Sequence, residues 1–331
     1  MQADIGRVPL RVGLIGVGHW HAPLHAAAVE AAGAGIAAVW DVDAATASNF
    51  ARQWRCPAAN SVEAVLDAAG IVVVMGRAAT VPALAKAVLA AGRPMILEKP
   101  AAISAAVLAG LLAEARSRDA FVAVPLPNRF GPAMEERARL SEAGRAGPLA
   151  HAHFRLVNGP PGRYVADGVG WMLDPLLSGG GALRNLGIHG VDGALALATG
   201  ELRLVSARIA NRNGGSAVED YALLVLEDEA GAVFTVEAGY TFASMAAGGD
   251  FEWRIATANA YLLDSGDAAY AATLDDGVRC ALTPLPPAVR YNRFMADTLA
   301  RLAQGLPPAV GLADYFRAME IIDQAYAEAR T

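Results

Sequence analysis

Along the first part of the chain, short apolar runs alternate with segments whose apolar residues recur at helical spacing. Arg11–Ile15, Ile36–Trp40, Ile71–Met75, Pro94–Glu98 and Phe121–Val124 read as strands. Between them, about Ala22–Ala32, Ala44–Trp54 and Val81–Ala91 read as helices, and Ser104 caps a further one. Strands apolar at nearly every position are buried on both faces, as in a parallel sheet covered by helices on each side. Right-handed crossovers then predict a doubly wound, Rossmann-type sheet. After about Leu126 the rhythm changes. Leu204–Arg212, Tyr221–Glu227, Ala232–Tyr240 and Phe251–Thr257 follow one another without helices, separated by polar turns such as NGGS and DEAG. Alternation within them, as in VFTVEAGY, predicts an antiparallel sheet. A strand ending at Asn158, with His151 and His153 on one face, precedes them. Two helical stretches, about Val289–Gln304 and Ala313–Arg330, close the chain. The expected organisation is α/β, with a Rossmann-type domain over 1–126 and a second, α+β domain over 127–331. The last helix is placed to pack back on the first domain.

Composition narrows what such a molecule does. The chain has 331 residues, 27 Lys+Arg against 33 Asp+Glu, and a formal net charge of −6. That leaves no basic excess to neutralise a phosphate backbone, so nucleic acid is not an expected partner. With 54% hydrophobic and 18% charged residues, the chain can bury a large core. Much of the apolar content is alanine, and runs such as Ile71–Met75 fall short of the roughly 20 residues a bilayer requires. Arg7 and Arg11 precede a short apolar run that no signal-peptide cleavage pattern closes. Cys56 and Cys280 suggest no disulfide framework. The expectation is a cytoplasmic protein without a membrane partner.

The segment VGLIGVGHWH sets Gly16 and Gly18 between the first strand and the first helix. There the first glycine permits a tight turn, and the second lets the backbone approach a pyrophosphate at the helix N-terminus. Asp41 ends the second strand 25 residues after Gly16, placed to accept hydrogen bonds from an adenosine ribose. A carboxylate repels a 2′-phosphate, which favours NAD and leaves NADP open. His19 and Trp20 read as flanks of the pyrophosphate or cofactor cleft, with Met75 and Gly76 at the end of the third strand. His21 and His25, at i,i+4, raise a metal site, but no cysteine completes a set and a zinc ion would compete for the dinucleotide turn, so no metal is expected.

Glu98-Lys99-Pro100 falls at the C-terminal end of a parallel strand, the edge at which doubly wound sheets bind ligands. A lysine there can hydrogen-bond a reacting oxygen or shift its pKa. Downstream, WMLDPLLSGGGALRNLGIHGVD places Gly179, Gly180 and Gly181 before a helix carrying Asn185 and, four residues on, His189. Residues at that spacing share a helix face. With GLIGVGHWH, Asp41 and AGRPMILEKP, this segment resembles the glucose–fructose oxidoreductase/inositol dehydrogenase/rhizopine-catabolism (Gfo/Idh/MocA) family over nearly the whole chain. The resemblance implies a Rossmann domain followed by an α/β substrate-binding and oligomerisation domain with a large, mostly antiparallel open sheet. It also implies NAD(P)-dependent oxidation or reduction of a hydroxyl carbon on a sugar, cyclitol or sugar derivative, and a homodimer or homotetramer formed through the second sheet.

On that reading Lys99, His189 and Asn185 are catalytic. His189 takes the hydroxyl proton, Lys99 polarises or relays it, and Asn185 orients the substrate. Gly16, Gly18, His19, Trp20, Asp41, Met75, Gly76, Glu98, Lys99 and Trp171 hold the cofactor. Arg129, Asn158, Tyr164 and Asn185 are substrate-contact candidates, with Arg163 and Tyr164 on a polar loop, 158–168, able to close over a ligand. Asp192 either contacts the His189 imidazole or caps locally. The sequence departs from the family at Asn185, where aspartate is frequent, at Gly76–Thr80, and at His21, where a small residue is usual. Two other readings stay open: an enzyme that recycles NAD through elimination or glycoside cleavage, and a nucleotide-binding regulatory protein without catalysis.

Overall fold

A computed structural model describes residues 10–212, 216–246 and 248–329. Arg7, the first three residues of the NGGS turn and Arg330 lie outside them. The first sheet contains β1 (Arg11–Ile15), β2 (Gly35–Trp40), β3 (Ile71–Val74), β4 (Met95–Leu97) and β5 (Val122–Ala123). They are ordered β2-β1-β3-β4-β5 and all pairs are parallel. All four β3 residues are buried, as an apolar run between two helical layers requires. The layers are α1 (Ala22–Ala31), α2 (Ala44–Gln53), α3 (Val62–Ala68), α4 (Val81–Ala90) and α5 (Ala105–Ser117). Asp43, Ser61 and Ser104 cap α2, α3 and α5 by accepting hydrogen bonds from backbone N–H groups. The sequence pattern does not show α3, a seven-residue helix with only two buried side chains.

After α6 (Pro132–Glu142), β6 (Leu149–Asn158) enters the second sheet. Short helices α7 (Pro161–Ala166) and α8 (Pro175–Ser178) follow, then a π-helical turn, Leu183–Gly187, running into α9 (Ile188–Leu197). The sheet is completed by β7 (Leu202–Ala210), β8 (Tyr221–Asp228), β9 (Val233–Gly239), β10 (Gly249–Thr257), β11 (Ala260–Asp264), β12 (Ala269–Thr273) and β13 (Arg279–Leu282). Its order is β13-β12-β11-β10-β6-β9-β8-β7, antiparallel except between β6 and β9. The mixed α/β fold therefore has a five-stranded parallel Rossmann sheet and an eight-stranded, mostly antiparallel one. The three strands β11–β13 were not legible beforehand. They are only four or five residues long, and cross-strand pairing rather than propensity makes them strands. The polar loop expected at 158–168 is instead largely α7, which buries Tyr164.

Two C-terminal helices tie the sheets together. Along α10 (Pro287–Gln304), Tyr291, Phe294 and Met295 join the apolar layer of α1 and β1. At its start Arg290 pairs with Asp264 of β11 at 2.8 Å. Helix α11 (Leu312–Glu328) packs on α5, α9 and β7. The cleft between the sheets is thereby fixed from both ends. No helix among the described residues is long and apolar enough to cross a membrane.

Candidate active site

The turn after β1 is closed by Gly16 at φ +81°, where a Cβ would lie 2.1 Å from the Met75 carbonyl oxygen. Only glycine combines that backbone with that contact. Its neighbour Gly18 donates its N–H to Asp41 Oδ2 at 2.8 Å, so the acid that ends β2 is already aimed across the turn. Asp43 N–H also donates to Asp41, at 3.0 Å. This strand–turn–helix with a carboxylate alongside is a cradle a dinucleotide fits. His19 is buried and stacks on Trp20 at 4.0 Å, and Trp20 lies 5.8 Å from Trp171. Met75 is buried beneath the turn, Gly76 is partly exposed, and Arg77 is exposed.

Glu98 belongs to a different arrangement from the one expected of it. Its carboxylate is 1% exposed and meets His25 Nε2 at 2.6 Å, His21 Nδ1 at 3.2 Å and the Tyr291 hydroxyl at 3.3 Å. Tyr291 also meets His21 Nδ1, at 2.9 Å. Burial alone would raise the Glu98 carboxyl, but the imidazoles of His21 and His25 hold it well below the usual carboxylate range. His21 therefore fills the usual small-residue position of the fingerprint by serving a buried polar cluster. Among the described residues, no group of three or more His, Cys, Asp or Glu is arranged to hold a metal ion.

A cleft of about 490 Å³ runs between the sheets, and Trp20, Lys99, Asn158, Tyr164, Asn185 and His189 all line it. Lys99, joined to Pro100 by a cis peptide and only 2% exposed, donates from Nζ to the Asn185 backbone oxygen at 3.2 Å and to Oδ1 at 3.3 Å. Burial lowers its pKa to about 8, with Glu98 acting against the fall. Asn185 is itself oriented by donating from Nδ2 to the hydroxyls of Tyr240 at 3.1 Å and Tyr164 at 3.4 Å. His189 is buried, and burial followed by the charges of Lys99 and His21 holds its pKa well below the usual value. It is thus neutral at pH 7, and its Nδ1 is buried without a hydrogen-bond partner.

The glycine turn supports this group without lining the cleft. A Cβ at Gly179 would lie 2.2 Å from the Ile103 carbonyl oxygen, at Gly180 2.2 Å from the Tyr326 hydroxyl, and at Gly181 2.1 Å from the Glu219 carbonyl oxygen. The Glu219 carboxylate accepts from Gly181 N–H (2.8 Å), Leu183 N–H (2.9 Å) and the Tyr326 hydroxyl (2.7 Å). That clamp fixes the π-helical turn on which Asn185 sits.

Some expected positions lie elsewhere. Arg129 and Asp192 face one another: Nε reaches Oδ2 at 2.8 Å and Nη2 reaches Oδ1 at 2.5 Å. Neither lines the cleft, because each satisfies the other's buried charge, so Asp192 does not serve the His189 imidazole. His153 bonds Thr235 at 2.7 Å within the sheet. Conversely, Tyr240 and Tyr291 serve the site from β9's end and α10, where no local pattern marks them.

The family model described as an oxidoreductase family with an NAD-binding Rossmann fold matches residues 10–126, and the GFO/IDH/MocA C-terminal domain matches 135–261. Inositol 2-dehydrogenase 2 of Saccharopolyspora erythraea is 30% identical over 249 residues, 70% of this chain and 68% of that protein. UDP-N-acetylglucosamine 3-dehydrogenase of Acidithiobacillus ferrooxidans is 28% identical over 226 residues, 65% of this chain and 70% of that protein. Among solved structures, levoglucosan dehydrogenase in complex with NADH and levoglucosan superposes with a TM-score of 0.85, at 19% identity and 97% coverage of both chains. An Agrobacterium radiobacter oxidoreductase bound to NAD+, L-tartaric acid and magnesium gives 0.85, at 19% identity, covering 98% of this chain and 97% of that one. The chain is a member of the GFO/IDH/MocA family of oxidoreductases with an NAD-binding Rossmann fold.

Proposed function

We propose that this protein is an NAD-dependent dehydrogenase that moves a hydride between the nicotinamide and a hydroxyl carbon of a small polyhydroxylated molecule. The observation carrying the reading is that Lys99 and His189 line one cleft, with Asn185 holding the Lys99 ammonium by two oxygens. The relatives named for inositol and UDP-N-acetylglucosamine, and the levoglucosan complex, support a sugar or cyclitol class. Bound NAD supplies the hydride acceptor, with Gly16, Gly18, His19, Trp20, Asp41, Met75, Gly76 and Trp171 around it. Lys99 hydrogen-bonds the reacting oxygen and stabilises its developing negative charge. His189, kept neutral, accepts the hydroxyl proton, and Asn185 with Tyr164 and Asn158 orients the substrate. Asp41 sets the preference for NAD over NADP.

A screen of sugars, inositols and sugar acids at 340 nm with each cofactor tests this. NADH formation on at least one of them, lost in Lys99→Ala and His189→Ala while NADH still binds, is the expected result. Unchanged activity in both variants removes the catalytic assignment, and a clear NADP preference removes the role of Asp41. We further propose a homo-oligomer built on the open face of the eight-stranded sheet, where Val205 and Val233 are 47% and 41% exposed. Light scattering that returns a monomer overturns that.

A further inference from the structure

Glu98 is a buried anion held by donors that bring no charge of their own. His25 Nε2 lies 2.6 Å from Oε2, and its Nδ1 is buried with no partner. A second proton there would be an unpaired buried N–H, so His25 donates from Nε2 as a neutral imidazole. The Tyr291 hydroxyl gives its one proton to Oε2 at 3.3 Å, so it accepts from His21, whose Nδ1 carries the hydrogen. That same N–H faces Oε1 at 3.2 Å. Burial pushes His21 below the usual imidazole range, which leaves it neutral at pH 7. The Tyr315 hydroxyl, which the Glu98 charge also reaches, accepts from Ala101 N–H at 3.1 Å. Against burial, which favours the protonated acid, the imidazoles keep Glu98 ionised.

The next residue in the chain is Lys99. The two residues are 1% and 2% exposed, so little water screens one charge from the other. Among the described residues no ion pair joins Lys99 to a carboxylate, and its Nζ bonds the two Asn185 oxygens instead. The Trp20 ring lies 6.0 Å from Nζ, and His19, His21 and His189 are all held below the usual imidazole range by burial. Asp192, Asp250 and Asp264 are taken by Arg129, Arg155 and Arg290, and Asp267 is exposed. Glu98 is therefore the anion that opposes the effect of burial on Lys99. It does so without contact. An ammonium has three N–H donors; Asn185 takes two, and the third remains for the cleft that Lys99 lines. A carboxylate touching Nζ would occupy it.

We propose that Glu98 is a positioning residue of the reaction: its charge, held off Nζ by His21, His25 and Tyr291, keeps Lys99 an ammonium with one N–H left for the reacting oxygen. This rests on the dehydrogenase reading above and assigns the neighbour on which its lysine depends. No step is added to the reaction. Negative charge grows on the reacting oxygen as the carbinol gives up its proton, and a cation stabilises it where a neutral amine would not. The departure at His21 gains a purpose, because a small residue there would remove one of the donors that Glu98 needs.

The chain contains two lysines, Lys86 and Lys99, and Lys86 is exposed. Lysine labelled with 13C at Cε therefore gives two NMR signals, which Lys99→Gln assigns. The full chain is titrated, with near-UV circular dichroism reporting that each variant is folded. Lys99 of the parent chain is expected to titrate at about 8. Glu98→Gln and Glu98→Met both remove the charge, and Met brings no unpaired amide should Gln not fold. Each is expected to lower the Lys99 titration by about one pH unit or more, because loss of the opposite charge disfavours the ammonium. Glu98→Asp keeps the charge, and Tyr291→Phe disturbs the cluster without discharging it, so both are expected to stay near the parent value. No shift in the uncharged variants overturns the proposal. An equal shift in Glu98→Asp or Tyr291→Phe overturns it too, because packing rather than charge would then govern Lys99. With a substrate from the 340 nm screen, the alkaline fall of kcat in Glu98→Gln is expected to move to lower pH by the same amount. A shifted lysine in a protein that oxidises no polyol removes the dehydrogenase reading and leaves Glu98 as the charge behind Lys99. Oxidation with an unshifted lysine removes the role of Glu98 and leaves the dehydrogenase.

Discussion

Lys99 carries its charge at a cost. Its pKa falls from 10.5 in an exposed lysine to about 8 in the fold, chiefly through burial. Between those values the unfolded chain holds a proton that the folded chain has lost, so stability rises with pH across that window. Below about pH 8 the folded chain bears the full penalty, about 3 kcal/mol at 1.36 kcal/mol per pH unit. Lys99→Met is therefore expected to stabilise the fold at pH 7 by about 1–3 kcal/mol in urea titrations while abolishing turnover. A destabilised Lys99→Met protein would contradict that burial penalty. The same titration governs catalysis if the ammonium stabilises the reacting oxygen. Activity is then expected to fall as pH rises through the Lys99 titration. Gly16 illustrates a different constraint at this scale, steric rather than electrostatic. Gly16→Ala forces a Cβ into the Met75 carbonyl at a positive φ, and a loss of about 2 kcal/mol or more is expected in urea unfolding.

At the scale of elements, the π-helical turn Leu183–Gly187 is the part on which the site depends. Such turns insert a residue into a helix and re-aim the side chains around it. Here the inserted geometry is held from outside the helix, by Glu219 at the start of the β8 region and Tyr326 on α11. Glu219→Gln leaves one buried N–H of the Gly181–Leu183 stretch unsatisfied. It is expected to cost about 1–3 kcal/mol of stability and to lower kcat by shifting Asn185. Tyr326→Phe removes a single hydroxyl and is expected to cost about 1 kcal/mol. If Glu219→Gln loses no more than Tyr326→Phe in chemical denaturation, the carboxylate is not the clamp. The glycine triplet was legible as a turn leading to a helix. Its purpose, close approach to Ile103, Tyr326 and Glu219, involves partners distant in sequence and was not.

For the molecule as a whole, α10 is the connection that makes one cleft from two sheets. It lays Tyr291, Phe294 and Met295 on the first sheet's layer and sends Arg290 into the second sheet. Arg290→Ala strands Asp264, a carboxylate only 1% exposed, and is expected to cost about 3 kcal/mol and weaken NADH binding along with stability. A variant that melts normally would show that the pair does not brace the cleft.

By itself the sequence determined the parallel sheet, the glycine turn after β1 with Asp41 after β2, and the placing of Lys99 at a strand end and of Asn185 and His189 along one helix. Each is encoded locally: by an unbroken apolar run, by glycines at a strand end, or by spacing along one helix. Tertiary structure alone decided that Glu98 and His21 close a buried cluster, that Arg129 and Asp192 satisfy one another, and that Tyr240 and Tyr291 serve the cleft. Those outcomes depend on which charges and hydroxyls meet after residues far apart in the chain are brought together. Burial then made each pairing compulsory.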